Sequence, residues 1–189
     1  MTKNIILVGV GGQGIILVSK ILIAGLMKVG YDVKMSEVHG MAQRGGSVST
    51  QVRYGEKVYS PIIAEGEADI LVSFEKMEAL RWAEYLKPDG KMIVNNFAIQ
   101  SITTATGKAI YPDGIIESLE KSFDINVLDA TAVALEVGNI RTQNIVLLGA
   151  LVKALKLTEV DWTAVLKEVL PPKVQEVNII AFNKGMELV

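Results

Sequence analysis

The chain has 189 residues, of which 50% are apolar and 21% charged, and its formal net charge is −2. This composition can form a sizeable core and suits one domain, which we expect to span residues 1–189. The near-neutral charge gives no general attraction to nucleic acid or to anionic membranes, so neither is expected as a partner. The absence of cysteine excludes disulfides, thiolate catalysis and iron–sulfur clusters held by thiolates of this chain. No leader or membrane-spanning stretch is predicted, and a cytoplasmic protein is expected.

The first predicted unit is a strand, a glycine turn and a helix. An apolar run at residues 5–8 enters the turn Gly9-Val10-Gly11-Gly12-Gln13-Gly14, and a helix is predicted over residues 12–29. In this context a G-x-G-x-x-G match indicates a phosphate-binding turn of the dinucleotide type. Gly9 would permit the sharp turn, Gly11 the approach of a ligand, and Gly14 close packing of the helix on the strand. The first helical N–H groups would then favour an anion such as phosphate, although a tight turn that holds no ligand has the same pattern.

The next segments predict a mixed sheet. Residues 31–36 would complete a β-α-β unit with a right-handed crossover. Glu37 then stands where an NAD-binding unit carries the acid for the ribose hydroxyls. Residues 47–54 alternate strictly and, with residues 57–63 across a short turn, predict an antiparallel hairpin.

Between the second and third predicted strands, residues 37–46 form a polar, glycine-punctuated loop where most such folds begin another helix. Loops of this kind often carry function on a rigid scaffold. His39 in this loop is a candidate general acid or base, or a residue that orders the loop or an interface. Arg44 could bind a phosphate or carboxylate bidentately, or form an ion pair with Glu37 or Asp69.

The rest of the chain alternates strands and helices, which predicts further parallel strands. Glu75, Asn95 and Asn96 follow strands at the carboxyl edge of the sheet, where ligands bind, although first-turn charge complementarity or simple turn closure would also explain them. Strands are predicted at residues 69–74, 91–95 and 125–129; helices at residues 75–86, 113–122 (capped by Asp113), 130–137 (capped around Asp129), 142–156 (capped by Thr142), 159–169 and 173–186; and an irregular segment at residues 96–108.

Few residue types needed for autonomous catalysis are present. His39 is the only histidine, and no Ser-His-Asp, Cys-His or metal-ligand spacing accompanies it, so neither a catalytic residue nor a metal site is predicted. After the first β-α-β unit the chain offers a hairpin rather than the second mononucleotide half that a complete dinucleotide enzyme needs. Two alternatives stay open: a self-sufficient NAD(P)-binding oxidoreductase, and a structural subunit whose glycine turn binds nothing.

The two glycine-rich segments together resemble a known family. GVGGQGI at residues 9–15, followed by SEVHGMAQRGGSVS at residues 36–49, is similar to the gamma-type subunit or domain of 2-oxoacid:ferredoxin oxidoreductases. The V-H-G-M-A-Q-R-G-G form of the second segment is most similar to the small (beta) subunit of indolepyruvate:ferredoxin oxidoreductases. The resemblance extends along the whole chain.

This resemblance implies a three-layer, Rossmann-like α/β domain with a mostly parallel, mixed sheet, acting inside a larger complex. It implies that a large partner subunit holds thiamine diphosphate and iron–sulfur clusters. The complex would decarboxylate a 2-oxoacid, aryl pyruvates being favoured, to acyl-CoA and CO2 and pass electrons to ferredoxin. No cofactor would be tightly bound by this chain. The residues implied to line the partner interface or the approach of coenzyme A are Gly9, Gly11, Gly12, Gln13, Gly14, His39, Gln43, Arg44 and Gly45.

Overall fold

A computed structural model describes residues 2–40 and 45–189 of the chain. The strands are β1 (Lys3–Val10), β2 (Asp32–His39), β3 (Ser47–Gly55), β4 (Ala68–Ser73), β5 (Leu86–Asn95) and β6 (Asp124–Leu128). The helices are α1 (Ile15–Lys28), α2 (Lys76–Trp82), α3 (Ile102–Ala105), α4 (Ile115–Leu119), α5 (Ala130–Glu136), α6 (Gln143–Ala154), α7 (Trp162–Val169) and α8 (Pro172–Met186), and short 3-10 turns occupy Ala83–Tyr85 and Ile140–Thr142.

The six strands form one mixed sheet in the order β2-β3-β1-β4-β5-β6. β1, β4, β5 and β6 pair in parallel, whereas β3 lies antiparallel between β1 and β2. The predicted fold class, a mostly parallel sheet with one antiparallel hairpin, is confirmed. The carboxyl ends of the parallel strands therefore meet at one edge of the sheet, which is where ligands bind in open α/β folds.

Helices cover both faces of the sheet, as the three-layer prediction requires. Side chains alternate along β1, so that Ile5 and Leu7 pack under the larger helical layer of α1, α6, α7 and α8. Ile6 and Val8 point to the opposite face, where α2 and α4 pack. Burial on both faces explains why β1 and β4 are almost continuously apolar in sequence.

The hairpin is made by different strands from those predicted. Residues 57–63 are not a strand, because both edges of β3 are already paired, with β1 and with β2. This segment instead packs against the sheet through Arg53, whose guanidinium donates to the carbonyls of Ser60 at 3.1 Å and Ile62 at 3.0 Å. The first β-α-β unit is also interrupted, since β3 separates β2 from β1.

Several predicted element boundaries were wrong by a few residues. α1 begins at Ile15 rather than residue 12, β2 continues through His39, and α2 ends at Trp82 before a 3-10 turn. Gly114, not Asp113, precedes α4, and Asn139, not Thr142, caps the turn that leads into α6. Asp129 caps α5 as predicted, accepting the Ala132 N–H at 2.8 Å. Within the described ranges, no helix combines the length and apolar character needed to cross a bilayer.

The contact between α6 and α8 is made through two glycines. A Cβ placed on Gly149 would lie 2.1 Å from the Phe182 carbonyl oxygen, and one placed on Gly185 would lie 2.0 Å from the Val146 carbonyl oxygen. The backbones of the two helices therefore touch directly. Only glycine leaves the space that this approach needs.

Candidate functional site

The two glycine-rich segments, which are far apart in sequence, are hydrogen-bonded to each other at the carboxyl edge. The Gly11 N–H donates to the Gly46 carbonyl at 2.8 Å, and the Gly45 N–H donates to the Gly11 carbonyl at 3.3 Å. These bonds continue the antiparallel β1–β3 ladder, whose last paired residues are Val10 and Ser47. We call residues 11–14 together with residues 45–46 the glycine rim. The structure thus brings together two segments that the sequence had linked only by resemblance.

Three glycines of the rim region have roles different from those predicted. Gly9 lies within β1, and a Cβ there would come within 2.9 Å of Phe74 and within 2.7 Å of Gln13, so it permits close packing and not the sharp turn. Gly11 uses both its N–H and its carbonyl to pair with the second glycine segment. Gly14 packs against α6 rather than the strand, since a Cβ there would lie 2.4 Å from the Asn144 amide nitrogen.

A cleft opens beside the first turn of α1. Gly12 and Gly14 have positive φ angles of 105° and 80°, which glycine adopts at no steric cost. No described side chain caps this helix end, and no acidic residue lies in its first turn. The cleft, of about 270 Å³, is lined by the glycine turn, the first residues of α1, Val48 and His39. Its backbone donors and helix dipole favour an anionic or strongly polar group.

Gln13 holds the rim in place from below. Its side chain is largely buried; the amide oxygen accepts the Val10 N–H at 2.7 Å, and the amide nitrogen donates to the Phe74 carbonyl at 2.8 Å. Because both ends of the amide are bonded within the protein, Gln13 acts on the rim through its position. It also occupies the gap between the carboxyl ends of β1 and β4, through which a dinucleotide would extend in a complete Rossmann enzyme.

His39 and Glu37 lie together at the end of β2, next to the cleft. The His39 Nε2 is 3.6 Å from a Glu37 carboxylate oxygen, and the other Glu37 oxygen is 3.5 Å from the Ser19 hydroxyl. The His39 side chain is 42% exposed and lines the cleft, so a bound molecule could reach it. Glu37 is separated from β1 by β3, which places it one strand further from the glycine turn than the ribose-binding acid of a Rossmann fold.

Two predicted site residues, Gln43 and Arg44, lie outside the residues that the structure describes. Asp69, one of the two acids considered as a partner for Arg44, lies at the amino end of β4 on the opposite edge of the sheet. There its carboxylate is 2.9 Å from the Lys87 ammonium and 3.4 Å from that of Lys3. Asp69 therefore belongs to a different part of the molecule from the rim.

On the other face of the sheet, Glu75 anchors a long surface segment. This carboxylate is 1% exposed and accepts hydrogen bonds from the Glu78 N–H, the Ile99 N–H and the Tyr111 hydroxyl. Burial, together with the Glu75 carboxylate, raises the pKa of Tyr111 far above its usual value, so its hydroxyl stays a donor. Asn95, also buried, bonds the Ala130 N–H and so joins β5 to α5. Glu75 and Asn95 thus join separate segments, whereas the alternatives considered for them were first-turn charge complementarity and turn closure.

The Glu75 anchor predicts a large effect for Glu75→Ala. The change removes an N-cap and leaves the partly buried Ile99 N–H and the Tyr111 hydroxyl without their acceptor, so the free energy of unfolding should fall by about 2–4 kcal/mol. Hydrogen exchange should accelerate in residues 97–111. Asp161→Ala is the matched control, because Asp161 caps α7 through the Ala164 N–H at 3.0 Å but is exposed and holds no second segment. It should cost about 1 kcal/mol, and equal losses for the two variants would contradict the anchoring role.

Three residues near the rim were missed or undervalued by sequence reasoning. Asn144 was assigned to a helix start, yet it is buried, donates to the Gly14 carbonyl at 3.3 Å and leaves its own side-chain oxygen unpaired among the described residues. The available sequence signal was a polar residue placed directly before the apolar run of residues 145–152. Tyr111 and the buried Glu78, which accepts from Ser47 on β3, had no comparable sequence signal.

Among the described residues, the site contains backbone donors, one histidine and structural amides. No group of three or more possible metal ligands occurs within residues 2–40 and 45–189.

Comparison with known proteins identifies the family. Residues 4–188 match the model described as pyruvate ferredoxin/flavodoxin oxidoreductase, and the chain belongs to that family. It is 41% identical over 190 residues to the indolepyruvate oxidoreductase subunit IorB of Thermococcus kodakarensis, covering 97% of this chain and 94% of the relative. It is 38% identical to the subunit of the same name from Methanothermobacter thermautotrophicus, covering 98% of this chain and 96% of the relative.

Solved structures have the same fold. The gamma subunit of a keto/oxoacid ferredoxin oxidoreductase from Geobacter sulfurreducens is 25% identical with a TM-score of 0.69, covering 98% of this chain and 97% of that one. The 2-oxoglutarate:ferredoxin oxidoreductase from Magnetococcus marinus, solved with 2-oxoglutarate, coenzyme A and succinyl-CoA bound, has a TM-score of 0.76 at 23% identity. That match covers 99% of this chain but 31% of the longer one, so the same fold there is one part of a larger polypeptide. This chain is a subunit of the 2-oxoacid:ferredoxin oxidoreductase family.

Proposed function

We propose that this chain is the small subunit of an aryl-pyruvate, most simply indolepyruvate, ferredoxin oxidoreductase. The complex oxidatively decarboxylates the 2-oxoacid to acyl-CoA and CO2 and passes the electrons to ferredoxin. The large partner subunit supplies thiamine diphosphate and the iron–sulfur clusters, and this chain is inactive alone. The preference for aryl pyruvates rests on the names of relatives that are about 40% identical over nearly the full chain.

The observation that supports this proposal best is the hydrogen-bonded pair of glycine segments. The Gly11–Gly46 and Gly45–Gly11 bonds build a rim of backbone at the carboxyl edge of the sheet. Such a rim can lie close against another polypeptide because few side chains stand in the way. The absence of cysteine fits a subunit whose electrons are carried elsewhere.

Coenzyme A is the proposed ligand of the rim, approaching across it without tight binding. The first turn of α1 presents backbone donors to a cleft of about 270 Å³, which is large enough for a phosphate group and part of its carrier. His39 lies at the wall of this cleft and can donate a hydrogen bond to the same group. Gly9 and Gln13 support this surface through their packing and hydrogen bonds, and Gly14 forms part of the cleft wall.

The dinucleotide-binding alternative has less support. β3 separates Glu37 from the first turn, the Gly11 N–H is already bonded, and the Gln13 side chain fills the gap between β1 and β4. A bound dinucleotide would have to break the Gly11 bond, move the Gln13 side chain and reach Glu37 across β3. Titration of the isolated chain with NADH, followed by fluorescence, should therefore show no saturable binding at millimolar concentration.

Co-purification tests the proposed assembly. A tagged copy of this chain, expressed together with the large subunit that it serves, should retain that subunit through affinity and size-exclusion steps. The recovered complex should contain thiamine diphosphate and iron, and should reduce ferredoxin with indolepyruvate and coenzyme A. Recovery of this chain only as a free protein would contradict the proposal.

A further inference from the structure

A second surface at the carboxyl edge carries two almost fully exposed isoleucines. Ile102 is 82% exposed and Ile110 is 90% exposed, both on the segment of residues 97–110 that we call the platform. Lys108 is the only charged residue of the platform, in a chain that is 21% charged. Depletion of charge around exposed aliphatic side chains is the compositional mark of an interface core rather than of free surface.

The platform is hydrogen-bonded near both of its ends to residues that lie beneath it. Its first residue, Phe97, accepts the Lys76 N–H at 2.9 Å, and the Ile99 N–H donates to Glu75 at 3.1 Å. At its far end the Tyr111 hydroxyl bonds the same carboxylate. Because the Glu75 carboxylate bonds residues near both ends of the platform, little conformational entropy of this segment is lost when a partner binds.

The platform is continuous with the glycine rim. A cleft of about 280 Å³ is lined on one side by Gly45 and Ser47 and on the other by Thr104 and Ile110. A partner protein that covers the rim at the carboxyl edge would therefore also contact the platform. The platform and the rim thus form one continuous surface at the carboxyl edge, although they lie on opposite faces of the sheet.

We propose that the platform is the apolar half of the docking surface for the large subunit, with Ile102 and Ile110 as its anchoring side chains. This inference rests on the proposed function, because the partner is the one assigned to the rim. The rim supplies backbone contact for the reacting ligand, and the platform supplies most of the apolar area that holds the two subunits together. The complementary surface on the large subunit is apolar where it meets these isoleucines, and it is polar beside the cleft that Glu78 and Arg81 line.

The test is the affinity of Ile102→Asp and Ile110→Asp for the purified large subunit, measured by biolayer interferometry. Each change should weaken binding about tenfold or more, since a desolvated charge would enter the interface core. Tyr59→Asp is the matched control, because Tyr59 is 89% exposed but lies beyond β3 at the opposite edge of the sheet; its affinity should match that of the unaltered chain. All three residues are exposed, and equal melting temperatures will verify that folding is retained.

The possible results separate the two proposals. Tight binding by both isoleucine variants overturns the platform assignment and leaves the proposed function standing. Failure of the unaltered chain to bind the large subunit overturns the proposed function and the platform together. If the unaltered chain dimerises by sedimentation and the isoleucine variants are monomeric, the occupant is a second copy, and the platform assignment is wrong.

Discussion

Replacing Gly149 by alanine is expected to lower the free energy of unfolding by about 3 kcal/mol. An alanine in place of an exposed helical glycine normally stabilises by about 0.5–1 kcal/mol, so the expected sign is reversed. The reason is that the new Cβ would lie 2.1 Å from the Phe182 carbonyl oxygen on α8. Backbone cannot rotate aside as a flexible side chain can, and the two helices must separate. For a domain of this size the midpoint of thermal unfolding should fall by roughly 6–12 °C.

Two further variants isolate the cause. Gly185→Ala attacks the same contact from α8, where a Cβ would lie 2.0 Å from the Val146 carbonyl oxygen, and should cost a similar amount. Once the helices have separated, the second methyl group meets less resistance, so the double variant should cost less than the sum. Asn183→Ala, exposed on the same helix, should change stability by less than about 0.5 kcal/mol. Additive costs, or a stable Gly149→Ala protein, would contradict a direct backbone contact.

Gly12→Leu is expected to abolish most function without unfolding the protein. Gly12 has a φ of 105° and open space around the position of a Cβ, and it is one of the residues that line the cleft beside α1. The backbone strain of a non-glycine residue there is about 1–2 kcal/mol, which a folded domain tolerates. A leucine side chain would occupy the cleft and the face of the rim, and activity of the complex at limiting coenzyme A should fall about thirtyfold, equivalent to about 2 kcal/mol.

Gly66→Leu is the control for backbone strain. Gly66 also has a positive φ, of 72°, and open space around it, but it precedes β4 at the amino edge of the sheet. The two variants should lose similar stability in urea unfolding, and only Gly12→Leu should lose activity. Equal activity in both complexes would mean that the rim contacts neither ligand nor partner, and the alternative of a structural subunit would then be favoured.

Local sequence patterns were enough to predict most of the fold. The strand–turn–helix order at the amino terminus, the continuous apolar runs of the parallel strands and the carboxyl-edge position of Glu75 and Asn95 were read from residue periodicity. The position of β3 between β1 and β2 could not be predicted in this way. A hairpin with the segment that follows it satisfies the local pattern equally well, and only the tertiary pairing with β1 and β2 decides against it.

The candidate site was predicted from sequence motifs and a family resemblance, and the structure corrected the roles of several of its residues. Sequence motifs identified the glycine segments and His39. They gave no indication that the Gly11 N–H and carbonyl would be hydrogen-bonded to Gly46 and Gly45. The bonds of the Gln13 side-chain amide were equally unpredictable from motifs, because they are made to residues 3 and 61 positions away in sequence. The Glu75 anchor depends on Ile99 and Tyr111, which no motif connects to it.

The central claim is that this chain contributes a binding surface to chemistry whose reactive centres lie in another polypeptide. Reconstitution measures this most directly: ferredoxin reduction by indolepyruvate and coenzyme A is followed with this chain alone, with the large subunit alone and with both. We predict no turnover by this chain alone, little by the large subunit alone, and full turnover that saturates at a fixed ratio of the two. Turnover by this chain alone, or a large subunit whose activity is unchanged by its addition, would contradict the account.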